Sequence, residues 1–261
     1  MSSLVQIEDL RLSFAGREVL HGVSLEVRQG ETVALVGESG SGKSSTIRSL
    51  LNLYPDTATH SGIASVDGVD ALSASAAALH GLRSRVVSMV HQDPRSSLNP
   101  VRTVGDSVME RLVHVHGVPV AQARATAVEL LEQVGIRDAA AKLRLYPHAF
   151  SGGMLQRVAI AAALTVDPRV LLADEATSAL DVTTQAEVLS VLRRLQRERE
   201  LAVLMVTHDL HLAAAFCDRV YVMLHGTVVE EIEGNRLFSS AEHDYTRHLL
   251  EAAPHLKRRT A

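Results

Sequence analysis

The run Gly37-Glu38-Ser39-Gly40-Ser41-Gly42-Lys43-Ser44 fits G-x-x-x-x-G-K-[ST], the pattern of a loop that wraps nucleotide phosphates, and it constrains the fold more than any other stretch. It follows Thr32-Val33-Ala34-Leu35-Val36, an apolar run with β-branched residues that reads as a strand. The next residues, Ser45 to Leu51, read as a helix. The glycines let successive N–H groups converge on phosphate oxygens, and the helix adds the positive end of its dipole. Lys43 brings a mobile charge for the outer phosphates, and the Ser44 hydroxyl can ligate Mg²⁺. A Gly/Ser-rich turn matching by chance is the competing reading; eight positions with a strand before and a helix after argue against it.

A chain of 261 residues with 46% hydrophobic content suits one large α/β domain, or a core carrying a subdomain. The net charge of −4 gives no basic surface for nucleic acid, and the short basic run Lys257-Arg258-Arg259 reads as a solvated end. The single cysteine, Cys217, can form no internal disulfide and reads as a small buried hydrophobe in a reduced, cytosolic protein. The longest apolar candidate, 158–166, is about half of what a membrane span needs, and the start carries no targeting segment. If this chain acts at a membrane, another chain must cross it. The 13 histidines include no H-x-x-x-H or H-E-x-x-H pair, so a histidine metal site is not expected.

Taken in order, residues 4–14 and 18–28 alternate apolar and polar, which predicts an antiparallel pair beside the nucleotide core. Phe14 can stack on a base or fill the β core. Residues 62–67 predict a short strand and 85–90 a buried one, which ends before Gln92 and Pro94. Gln92 taken alone is an ordinary loop residue, although at a strand end it can bring a carbonyl oxygen near metal and water. From Thr103 to Leu145 the apolar spacing turns helical, with Val104, Val108 and Leu112, then Ala127, Leu130, Leu131 and Val134. Ser151-Gly152-Gly153-Met154 then opens an Ala-rich helix. A hydroxyl and bare N–H groups at a positive dipole end make a second anion site, and a plain N-cap explains Ser151 but not two glycines.

Arg169 to Ala173 predicts a buried parallel strand ending in Asp174-Glu175, where doubly wound sheets bind ligands. Asp174 can hold Mg²⁺ through water and Glu175 can accept a proton from an attacking water. Asp181 can simply cap the helix that carries Val188, Leu189, Leu192 and Leu195. The apolar run 201–206 ends at His208, which can donate to a terminal phosphate. Strands over 219–224 and 227–231, joined at His225-Gly226, complete the core, and 233–261 forms a small, mostly helical end.

This ordered set resembles the nucleotide-binding subunit of an ATP-binding cassette transporter over nearly the whole chain. Phe14 matches the family's adenine-stacking aromatic, Gly37 to Ser44 its Walker A loop, Gln92 its Q-loop and Phe150 to Met154 its signature. Val170 to Asp174 matches Walker B, Glu175 the catalytic glutamate, Ser178 to Asp181 the D-loop and His208 the switch histidine. The resemblance implies an α/β P-loop NTPase with a mostly parallel sheet, an antiparallel β subdomain and an inserted helical subdomain. The core would comprise 1–92 and 166–232, the helical insertion 93–165 and the extension 233–261. It implies ATP and Mg²⁺ as cofactors, with Glu175, His208 and Lys43 catalytic and Ser44, Gln92 and Asp174 at the metal. Phe14, the loop from Gly37 to Ser45, Gln92, Ser151 to Met154 and Asp181 would contact nucleotide.

Within the family, Gln92 to Pro100, Tyr146-Pro147-His148, Ser151 to Arg157 and His243-Asp244-Tyr245-Thr246 resemble the dipeptide, oligopeptide and nickel importer group. Phe150 and Met154 replace Leu and Gln, Ala176 replaces a common Pro, and Asp244 replaces another. Longer peptide-import relatives carry a cysteine-bearing tail, so the end at Ala261 favours a nickel-type subunit, with short peptides next. The resemblance further implies a head-to-tail dimer with a like or unlike cassette, two ATP molecules sandwiched between them. Transmembrane permeases and an extracytoplasmic binding protein would complete the system, with this chain at the cytoplasmic face of the membrane. A carbon–phosphorus lyase accessory ATPase is the alternative of a different class. Translation-factor and DNA-repair relatives need a second cassette or a long coiled-coil insertion, neither of which occurs here.

Overall fold

The computed structural model describes residues 3–178 and 180–253. The expected basic end at 257–259 and Ala179 within 178–181 lie outside the described residues. Strands β1 (Ser3–Phe14), β2 (Arg17–Arg28) and β3 (Thr32–Val36) lead into α1 (Lys43–Ser49), then β4 (Ala58–Val66), β5 (Val69–Asp70) and α2 (Ala76–Gly81). After β6 (Val87–Val90) come α3 (Pro94–Ser97), α4 (Val104–Glu110), α5 (Val120–Gln133), α6 (Ala139–Lys142) and α7 (Gly152–Leu164). The chain closes with β7 (Val170–Asp174), α8 (Val182–Glu198), β8 (Ala202–Val206), α9 (Leu210–Phe216), β9 (Arg219–Leu224), β10 (Thr227–Glu233) and α10 (Asp244–Ala252).

Two sheets result. One is antiparallel with order β2-β1-β4-β5, and the other has order β10-β9-β3-β8-β7-β6, parallel except at the β9–β10 hairpin. The parallel strands are buried on both faces, as their unbroken apolar runs require. Alternation sends Val33, Leu35, Leu172 and Leu204 into one core with the antiparallel sheet, with Ile47 of α1 and with Leu50 just after it. Ala34, Val36, Leu171, Ala173, Val203 and Met205 face the other core, built with the helices. Val104, Val108, Ala127, Leu130 and Leu131 of the helical segment belong to this second core, so the insertion packs directly on the sheet through shared side chains.

Two strands differ from expectation. The strand expected over 85–90 begins only at Val87, because Leu82–Val86 winds as a π-helix. The Arg111 guanidinium donates to the Ser88 hydroxyl at 2.6 Å and to the carbonyls of Arg83 and Ser84, and a ring nitrogen of His116 sits 2.9 Å from the Ser84 carbonyl. Those partners satisfy the carbonyls of Arg83 and Ser84 within the π-helical turn that precedes β6. The strand expected over 62–67 is longer and runs from Ala58, since β4 pairs with β1 as far as Phe14↔Ala58. His60 and Ser61 are exposed and break the alternation that would have shown it.

Cys217 is buried, and that burial, helped by the neighbouring charge of Asp218, pushes its thiol up to about 12. In the native protein its alkylation by iodoacetamide at pH 8 should be at least about 100-fold slower than in urea, because the thiolate is the reacting form. Equal rates, read by mass spectrometry, would mean the thiol reaches solvent.

Candidate nucleotide site

Four of the five adjacent parallel strands, β3, β8, β7 and β6, each lead into candidate residues. Gly37 leaves β3 at φ 148°, where an added Cβ would sit 2.2 Å from the Met223 carbonyl oxygen. Gly42, the N-cap of α1, has φ 104°, a backbone conformation that side chains rarely adopt. The Gly226 N–H donates to the Ser41 carbonyl at 3.0 Å, so the β9–β10 turn buttresses the loop from below. Lys43 is buried and folds back over its own loop, donating to the carbonyls of Gly37 at 2.8 Å and Glu38 at 2.7 Å, with a longer 3.4 Å contact to the Ser41 hydroxyl. Burial pushes its pKa down, against the opposing charges of Glu175, Asp174 and Glu38. Ser39, Gly40, Gly42, Lys43, Ser44 and Ser45 line a cavity of about 210 Å³, which Val19 and Glu175 complete.

Ser44 donates to the Asp174 carboxylate at 2.9 Å, and Arg48 lies 3.9 Å from its other oxygen. Glu175, next along, has φ 50°, a left-handed conformation uncommon outside glycine, while its N–H donates to the Val206 carbonyl at 3.0 Å. The turn carries its carboxylate between two partners. Gln92 donates to one oxygen at 3.1 Å and to the Ser178 hydroxyl at 3.1 Å, while His208 Nδ1 lies 3.5 Å from the other oxygen. Three sequence-distant residues thereby converge beside the phosphate loop.

The second expected anion site, at Ser151 to Met154, has a different construction. Ser151 accepts from the Met154 N–H at 3.3 Å, which is a helix N-cap. Gly153 is required by packing, since a Cβ there would lie 2.3 Å from the Thr184 methyl. Thr184 cannot readily turn away, because its N–H and hydroxyl both donate to the Asp181 carboxylate, at 3.1 and 2.7 Å. Asp181 thus caps α8, the simpler of its two sequence readings, and those bonds hold its carboxyl below the usual range. Ser151, Gly153 and Met154 line a cavity of about 390 Å³ that shares no residue with the one at the phosphate loop. Gly152 has open space around it. Phe14 does not line the phosphate cavity; its ring meets Tyr54 edge-on at 5.9 Å, and the Tyr54 hydroxyl donates to the Ser45 carbonyl at 2.8 Å.

A sequence profile described as ABC transporter matches residues 20–178. The oligopeptide transport ATP-binding protein OppD of Salmonella typhimurium is 40% identical over 257 residues, an alignment covering 97% of this chain and 77% of that protein. The chain belongs to the ABC transporter family. The dipeptide transport ATP-binding protein DppD of Bacillus subtilis is 38% identical, with 98% of this chain and 78% of that protein aligned. The peptidoglycan transport ATP-binding protein YejF of Agrobacterium fabrum is 43% identical, and the chain covers 47% of its length. Among solved structures, cbiO1 from Clostridium perfringens superposes with a TM-score of 0.81 at 27% identity, covering 92% of each chain. The dimeric ATP-binding cassette MJ0796 with ADP and Pi gives 0.76 at 28% identity, covering 88% of this chain and 98% of that one.

As an ABC ATPase, the chain binds and hydrolyses ATP through a fold of mixed parallel and antiparallel sheets with helices. Among the described residues no helix is long and apolar enough to cross a membrane. Sequence reasoning missed Arg48, whose position one turn after Ser44 was the available signal, and Thr184, whose i+3 spacing from Asp181 marked a cap. It also missed Val19, which the antiparallel sheet brings to the loop, and Tyr54, which follows α1 and reaches back to Ser45.

The contact between Gly153 and Thr184 makes a test. Gly153→Ala should destabilise the cassette by about 1–3 kcal/mol through overpacking, and Thr184→Ser, which keeps the hydroxyl and deletes the methyl, should restore most of it. Urea melts of the two single variants and the double variant measure the coupling; strict additivity would mean that the clash is absorbed elsewhere.

Proposed function

We propose that this ABC ATPase powers a membrane importer of short peptides, with Glu175 as the general base of its ATP hydrolysis. The observation that carries the catalytic part is the Glu175 carboxylate held between Gln92 and His208, beside the Ser44–Asp174 pair. A hydroxyl and a carboxylate 2.9 Å apart are hard oxygen donors suited to Mg²⁺. When bound, Mg²⁺ neutralises charge on the outer phosphates, with Gln92 a further oxygen donor near it.

The protein's own groups divide the remaining work. Lys43 holds two firm carbonyl bonds and one long one to Ser41, and the long one is the donor that a phosphate oxygen takes over. The N–H groups at the start of α1 face the same oxygens. Glu175 takes a proton from the attacking water while Gln92 orients the carboxylate from one side. His208, on the other side, donates to the terminal phosphate. Phe14 stacks on the adenine. Ser151 to Met154, in their separate cavity, serve the nucleotide of a second cassette in a head-to-tail dimer, and Asp181 contributes through the helix it caps. The dimeric state of the MJ0796 cassette supports that reading.

A groove of about 640 Å³ lies between the strand that precedes Gln92 and the helical segment, lined among others by Val90, His91, Leu98, Arg102 and Arg111. We assign it to a cytoplasmic segment of the permeases, which places the chain peripherally at the membrane, with an extracytoplasmic binding protein selecting cargo. The domain division at 93–165 follows the same logic, since this is the segment that would move against the core. Peptide cargo takes precedence over nickel because OppD and DppD are named for oligopeptides and dipeptides, and YejF for peptidoglycan. The lyase-type alternative has no observation of its own in its favour.

Glu175→Gln should lower ATP turnover by about 100-fold or more, a positioned base being worth about 10² to 10⁴, with nucleotide affinity retained. Turnover near wild type would remove Glu175 from the role. For cargo, deletion of the gene should abolish growth on di- and tripeptides as the source of a required amino acid and leave nickel content unchanged. Lost nickel with intact peptide growth would transfer the assignment to nickel, and normal behaviour in both would favour a soluble assembly ATPase.

A further inference from the structure

The start of α10 reaches the phosphate loop. The Glu38 N–H donates to the Tyr245 hydroxyl oxygen at 3.1 Å, a contact spanning 207 residues of sequence. That N–H belongs to the peptide unit whose carbonyl is Gly37 O, and Gly37 O accepts from Lys43 at 2.8 Å. One planar peptide is therefore held at both ends, by Tyr245 on one side and by the Lys43 ammonium on the other. Planarity transmits the restraint, because turning the carbonyl away from Lys43 requires the N–H to leave Tyr245.

This plane needs a restraint. It follows Gly37, whose φ of 148° is open to glycine alone and whose lack of a side chain leaves rotation about the plane without a steric stop. A bond to the N–H also polarises the attached carbonyl, which strengthens it as an acceptor for Lys43. The tyrosine is itself well anchored. The Glu230 carboxylate of β10 accepts from the N–H groups of Glu242 and His243, at 2.7 and 3.3 Å, and His243 Nδ1 accepts from the Tyr245 N–H at 3.2 Å. Thr246 is buried, and Tyr245, Leu249 and Leu250 pack against the helical core. The phenol is half-buried and reaches the loop from a fixed base.

We propose that Tyr245 is a positioning residue of the ATPase, which through the Gly37–Glu38 peptide sets where Lys43 meets the nucleotide phosphates. The inference rests on Lys43 contacting phosphate and is independent of the cargo and of Glu175 as base. It gives the carboxyl-terminal helix a part in nucleotide affinity through this one hydroxyl.

The test uses the full chain. Tyr245→Phe deletes the hydroxyl and keeps the packed ring, and it should weaken ATP affinity and raise KM for ATP by about 3- to 10-fold, the range for loss of one neutral hydrogen bond, with kcat changed less than about twofold. Its nucleotide-free Tm should match wild type. Leu249→Ala, which loosens the docking of α10 without touching the loop bond, should lower Tm and leave KM within about twofold. Wild-type KM in Tyr245→Phe would overturn the proposal. So would equal KM increases in both variants accompanied by equal losses of Tm, since Tyr245 would then act only as part of the helix's packing. Lys43→Ala separates this from the reading beneath it: unchanged nucleotide affinity there would remove Lys43 from phosphate binding altogether.

Discussion

The shared register of four parallel strands is the constraint on which the site depends. Leu35 of β3 and Asp174 of β7 both lie opposite Val206 of β8, and Ala173 lies opposite Val90 of β6. The strands therefore end within a residue or so of one another. The residues at or just beyond those ends, Gly37, Gln92, Asp174-Glu175 and Thr207-His208, emerge along one edge. A slip of one residue in any pairing would turn that strand's apolar side chains to the opposite core and move its terminal group by roughly 3.3 Å. Two distinct cores, one against the antiparallel sheet and one against the helices, make such a slip costly, and thus the packing that stabilises the sheet also aligns the chemistry.

At that edge the protein holds groups in conformations they would not choose alone. Lys43 is buried and charged, its ammonium satisfied by carbonyls of the loop it serves. Glu175 has a left-handed backbone, which costs a non-glycine residue about 1–2 kcal/mol and persists here because its N–H is tied to Val206 and its carboxylate to Gln92. Continuing as strand, Glu175 would aim its side chain at the opposite face of the sheet from Asp174. With the turn, Asp174 meets Ser44 and Glu175 meets Gln92 and His208.

The helical insertion is coupled to the same edge through packing and polar contacts together. Its apolar residues share a core with β3, β7 and β8, while Arg111 grips the carbonyls of the π-helical segment just before β6. The signature segment meets α8 where Gly153 abuts Thr184, and Arg157 pairs with Glu187 at 2.6 Å one turn further on. The helical segment is thus tied both to the stretch that leads into β6 and to the helix that Asp181 caps.

Local patterns were enough to place the phosphate loop, the buried strands at 170–174 and 202–206, the first antiparallel pair and the helix carrying Val188 to Leu195, because glycine spacing and apolar period are written in adjacent residues. The candidate residues Lys43 and Ser44 were legible from the glycine spacing, and Asp174, Glu175 and His208 because they stand at or just past the end of an apolar run, where a parallel sheet presents its ligands. Only the tertiary structure decided the rest. It wound 82–86 into a π-helix because Arg111 and His116, far along the chain, claim its carbonyls. It made Gly153 a packing requirement, set Phe14 against Tyr54, and brought Tyr245 to Glu38. Each of these is a contact between segments whose separation in sequence carries no period, and which partner satisfies a given polar group is settled only when the cores close and exclude water.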